Sequence, residues 1–67
     1  MSELESRTAR VTALAMEQFG SAEKAERWLR KGNQALGGQV PLDLLETEDG
    51  ARVVEETIMR IAHGIFI

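Results

Sequence analysis

Residues 47–64 read Thr-Glu-Asp-Gly-Ala-Arg-Val-Val-Glu-Glu-Thr-Ile-Met-Arg-Ile-Ala-His-Gly, and this stretch decides the fold. Ala51, Val54, Ile58 and Ile61 recur at i, i+3, i+7 and i+10, which is one face of an α-helix. Thr47 is suited to cap that helix. Glu48 and Asp49 fall in its first turn, where the helix dipole favours acids. Gly64 ends it, and the spacing predicts a helix over about 48–62. Gly50 lies inside the first turn, where helix propensity disfavours it, so close packing against a neighbour is the expected reason for it.

Upstream, Pro41 fits the first position of a short helix, Leu42 to Glu46. Residues 32–41 hold three glycines and the only proline. Asn33 is placed to cap a single helical turn that ends at Gly37-Gly38, and Gly38 is expected to need a positive φ at the bend. A second helix is predicted over about 22–31, with Ser21 as N-cap, Ala25, Trp28 and Leu29 as its apolar stripe, and Gly32 at the position after the cap. Glu23–Arg27 and Glu26–Arg30 are supportive i,i+4 pairs on it. The first segment, about 3–19, places Leu4, Val11, Leu14, Ala15 and Phe19 on one face, and Gly20 can stop it in the left-handed conformation. No strand is required. The expected fold is all-α: a small helical bundle of three main helices plus one or two short helical turns, one domain over 1–67. Its expected core is Leu14, Phe19, Ala25, Trp28, Leu29, Leu36, Leu42, Leu45, Val54, Ile58 and Ile61.

A chain of 67 residues is at most one domain, and one so small buries only about 60% of the surface its unfolded chain exposes. With little core, self-association as a symmetric dimer is expected, and Val53 and Met59, off the buried stripe, extend the apolar surface for it. Without cysteine there are no disulfides or thiolate metal sites. Eight Lys and Arg against eleven Asp and Glu give a net charge of -3, against a free-standing nucleic-acid binder. Charges interrupt the first sixteen residues, and no apolar run reaches the ~18 residues of a membrane span, so a soluble, cytoplasmic protein is expected.

Candidate chemistry is sparse. His63 has no identifiable nucleophile or carboxylate partner and reads as a helix-end or partner-contact residue. Glu46, Glu48, Asp49, Glu55 and Glu56 lack any metal-ligand spacing; Glu48 and Asp49 complement a helix start, while Glu55 and Glu56 fall opposite Ile58. Leu36-Gly37-Gly38 lacks a phosphate-loop spacing and reads as a tight bend. Lys24, Arg27 and Lys31 form a basic stripe, read as a solvated face partly neutralised by Glu23 and Glu26. Trp28 reads as the core anchor, with an interface hot spot as the alternative. The apolar tail Ile65-Phe66-Ile67 either folds back on the helices or buries in a partner. No enzyme and no cofactor is expected.

The ordered strings Ala25–Leu29, Asn33–Gly38, Pro41–Leu45 and Thr47–Ala51, continuing through Val53-Val54-Glu55, Ile58, Arg60-Ile61 and Gly64, resemble the toxin-binding domain of the Xre/MbcA/ParS antitoxins. Trp28, Leu29, Asn33, Leu36, Gly37, Gly38, Pro41, Leu42 and Gly50 carry the motif. The resemblance covers roughly 15–67 and implies a helical module that neutralises a RES-domain toxin, of a kind similar to ADP-ribosyl transferases acting on NAD, by obstructing its active site. Carried over by position, the toxin-contacting residues are Arg60, His63, Gly64, Ile65, Phe66 and Ile67. Lys31-Gly32 stands where family members often have Thr-Pro, a local change at the end of the second helix. Typical members also carry an N-terminal helix-turn-helix domain. Only a short stretch precedes the matching region here, so DNA binding is not carried over. The other readings are an orphan dimerisation module and a fragment of a helix-turn-helix transcriptional regulator.

Overall fold

The computed structural model describes residues 2–64. Four α-helices and one 3-10 turn follow in the order α1 (Glu3–Phe19), α2 (Ala22–Arg30), the turn Gln34–Leu36, α3 (Pro41–Leu44) and α4 (Glu48–Gly64). The all-α expectation holds, α2 and α4 start where the expected caps Ser21 and Thr47 place them, and α1 starts on a cap that the sequence reading did not name. Ser2 and Glu5 form a reciprocal capping box on α1. Ser21 Oγ accepts from Lys24 N on α2, and Thr47 Oγ1 accepts from Gly50 N on α4. The short helix is displaced from its expected span: it starts at Pro41 itself and closes at Leu44, with Leu45 as its cap.

The two-residue link Gly20-Ser21 folds α2 back antiparallel to α1. The loop after α2 is closed by backbone bonds. Asn33 N donates to Gln39 O (3.0 Å), Gly38 N donates to Asn33 O (2.8 Å), and Asn33 Oδ1 accepts from Ala35 N (2.8 Å). Closing so short a loop places Gly37 and Gly38 at φ 68° and 85°, which side chains with a Cβ rarely adopt. Gly32 stands one position beyond the cap of α2 but is not left-handed; Lys31 there is extended. Its small size is what matters, because a Cβ would lie 2.8 Å from the Gly38 carbonyl oxygen.

The core centre is made of Val11, Ala15, Ala25, Leu29, Leu45, Ala51, Val54 and Ile58. Leu14, Phe19, Trp28 and Leu42, expected inside, pack around its edge and are only partly buried, and Ile61 is also intermediate. Each helix brings small or aliphatic residues to the centre, with Ala15, Ala25 and Ala51 among Val11, Leu29, Leu45, Val54 and Ile58, and the large rings pack at the rim. Trp28 is therefore a rim residue, set edge-on to Phe19 with ring centroids 5.6 Å apart. Leu4 is exposed, and the inward position of that part of α1 belongs to Arg7. Among the described residues no helix is long and apolar enough to cross a membrane.

Candidate interaction surface

Arg7 fixes where α4 begins. Its Nε donates to Leu45 O and its Nη2 to Glu46 O, both at 2.7 Å, and its Nη1 meets Glu48 Oε2 at 3.4 Å. These carbonyls belong to the turn between α3 and α4, so a helix-1 guanidinium closes a turn some forty residues away in sequence. Arg10 adds Glu48 (3.2 Å) and Glu55 (3.3 Å). The hydrogen bond from Arg10 holds the Glu48 carboxyl below the usual carboxylate range, with Arg7 as a further cause, and the same bond raises Arg10. Glu55 therefore faces α1 rather than standing opposite the buried stripe, which corrects the sequence reading. Arg7 carried no sequence signal, since a lone arginine at a helix surface position reads as solvated.

Gly50 lets α4 start close under α3: a Cβ here would overlap the carbonyl oxygen of Leu44. The close-packing role expected for it is what the structure has. Together Arg7, Arg10 and Gly50 tie the start of α4 to α1 and to the end of α3.

With Ala51, Val54, Thr57 and Ile58 buried, the opposite face of α4 presents Arg52, Val53, Glu56, Met59, Arg60 and His63, all exposed. Val53, Glu56, Arg60 and His63 are spaced i, i+3, i+7 and i+10, so they form one outward stripe. Arg60, His63 and Gly64 come together at its C-terminal end. Glu56 stands opposite Ile58 as the sequence reading expected; Arg52 was not singled out from sequence, although the same periodicity that buries Val54 and Ile58 points it outward. Ile65, Phe66 and Ile67 lie outside the described residues. The stripe has apolar and charged groups but no nucleophile–base pair, and among the described residues no three His, Asp or Glu stand close enough to hold a metal ion. Its chemistry is that of a contact surface.

The motif residues stand apart from this stripe: Trp28 and Leu29 on α2, Asn33, Leu36, Gly37 and Gly38 in the loop, Pro41 and Leu42 in α3, and Gly50 at the start of α4. They build the scaffold that holds α4.

The family described as the antitoxin Xre/MbcA/ParS C-terminal toxin-binding domain matches residues 14–64. Among curated proteins, an Antitoxin Xre of Pseudomonas putida is 43% identical over 58 residues, covering 87% of this chain and 36% of that protein. A protein named Prs ADP-ribosylating antitoxin, from Sphingobium sp., is 42% identical over 48 residues, covering 72% of this chain and 30% of its own length. An Antitoxin Xre of Yersinia enterocolitica is 41% identical over 66 residues, covering 97% and 45%. The chain thus spans less than half the length of these relatives. No solved structure matches it. With α1 to α4 all inside or overlapping the matched region, the chain belongs to the Xre/MbcA/ParS antitoxin family, as its C-terminal toxin-binding domain.

Proposed function

We propose that this chain binds a RES-domain toxin and neutralises it by covering the toxin's NAD-binding active site, without chemistry of its own. The observation that carries this is the outward stripe of α4, which lies within the family match and ends in Arg60, His63 and Gly64, just before the apolar tail. The stripe docks on the toxin rim, and Phe66 fills the space substrate would take. Exposed Val53 and Met59 also support a homodimer, in which the two copies share the N-terminal part of the stripe while its C-terminal end stays open to toxin.

The test is deletion of residues 65–67, with melting temperature and toxin inhibition read on the same protein. The expected result is lost neutralisation with the melting temperature nearly unchanged. Full inhibition by the folded truncation would overturn the tail's role, and failure to co-purify with a co-expressed RES-domain toxin would overturn the toxin assignment.

A further inference from the structure

The outward face of α2 carries an open cleft of about 350 Å³, lined by Lys24, Arg27, Trp28, Lys31, Gly32 and Asn33. We propose that this cleft is a second docking surface, for an acidic protein segment carrying one large apolar side chain. The proposal stands apart from the toxin-covering role of α4.

The floor is Trp28, half-buried and steadied edge-on by Phe19. Gly32 opens one wall by having no side chain there. That wall is already rigid, because Asn33 is bonded to Gln39, Gly38 and Ala35. A fixed aromatic floor beside a fixed wall takes an apolar side chain with little ordering cost.

The rim is cationic, and no acid lines the cleft, on a chain whose net charge is -3. Arg27 is paired with Glu23 at 3.2 Å, and Arg30 nearby with Glu26 at 3.0 Å. Lys24 and Lys31 form no ion pair among the described residues, so their charges are available to a partner. Lys24 lies on α2 and Lys31 is the extended residue that caps its end, seven positions on, about 10 Å at the helical rise. An extended segment covers that distance in about three residues. Side chains of an extended segment alternate between faces, so the occupant has two acids about four positions apart, with a large apolar residue midway on the same face over Trp28. A nucleic acid fits less well: the cationic track is short, and the acidic remainder of the chain repels a long polyanion.

Trp28 is the sole tryptophan, so its emission reports on the cleft directly. The experiment titrates the chain with a synthetic Gly-Glu-Ala-Phe-Ala-Glu-Gly peptide, its analogue with Lys for both Glu, its analogue with Ala for Phe, and a ten-nucleotide oligothymidylate. The expected result is a saturable emission change with the acidic peptide alone. It weakens at least tenfold when salt rises from about 50 to 500 mM, as screening of exposed charges requires. The double substitution Lys24→Glu/Lys31→Glu removes it while leaving the circular dichroism and melting curve in place. An R60E control keeps it, which separates this surface from the α4 stripe. No saturable response to the acidic peptide overturns the proposal, as does unchanged binding by the folded double variant. Tighter binding of the oligothymidylate also overturns it and assigns the cleft to nucleic acid.

Discussion

Arg7 is 7% exposed and donates to two main-chain carbonyls, one of them on fully buried Leu45. Removing one partner of a buried charged hydrogen bond costs more than the bond was worth, because the other partner stays desolvated. Arg7→Met should therefore lower stability by about 3 kcal/mol in urea unfolding. A loss under about 0.5 kcal/mol would mean that water replaces the guanidinium. At Gly50 two effects oppose each other. Helix propensity favours alanine by about 1 kcal/mol, but the Leu44 carbonyl occupies the place of the new methyl. Steric overlap against main chain wins, and Gly50→Ala should destabilise by about 2 kcal/mol. A rise in melting temperature would refute the close-approach account. Of these two residues only Gly50 was legible, since a glycine inside a helix turn asks for a reason. Arg7 was not, because what makes it inward is a set of carbonyls presented by residues 45 and 46.

Helix limits were readable where the chain supplies a local chemical signal. Ser21 and Thr47 each satisfy N–H groups of the turn that follows, so the starts of α2 and α4 follow from short-range hydrogen bonding, as the start of α1 does from Ser2 with Glu5, a pair not read as a cap from sequence. The end of α2 was harder: Lys31 leaves in extended form, and Gly32 is selected by a contact with Gly38, not by its own φ. Between elements, the α1–α4 join has a testable pH dependence. Glu48 is ionised more readily in the folded chain than unfolded, chiefly because Arg10 donates to it. A depressed carboxylate adds stability above its unfolded pKa and loses it as pH falls through the folded one. Glu48→Gln should thus be less stable than the parent at neutral pH. The gap should close as pH drops through and below the ordinary carboxylate range, seen as a flatter acid limb in melting temperature against pH. A gap of constant size across that window would show that the charge is not involved. The effect should be small, because Glu48 is well exposed and screened by solvent.

For the molecule as a whole, the sequence periodicity gave the helix count and faces, while the arrangement of large and small core residues depended on how closely the helices meet. That is why Trp28 and Phe19 were placed inside when small and aliphatic residues hold the centre. The stripe of α4 was half legible: Arg60, His63 and Gly64 came from family position, Glu56 from its place opposite Ile58, and Arg52 emerged only once the buried face was known. Its apolar residues bear on assembly. Val53 is 47% and Met59 36% exposed, so replacing both with lysine should leave the fold within about 0.5 kcal/mol per site. The same change should convert a dimer into a monomer in light scattering at high protein concentration. A parent chain that is already monomeric there would reject the homodimer.

The Arg7 clamp also bears on the order of folding events. Its partners Leu45, Glu46 and Glu48 lie 38 to 41 residues further along the chain. Helices α1 and α2, by contrast, meet through a two-residue link, and contacts of low sequence separation form first because they close small loops. The clamp is therefore expected to close late, after α1 and α2 have docked. Interactions absent from the transition state act on the rate of escape from the native state, not on the rate of reaching it. In a denaturant chevron the Arg7 contacts would then show almost wholly in the unfolding arm. This one side chain would set how long each copy of the domain keeps its last helix seated.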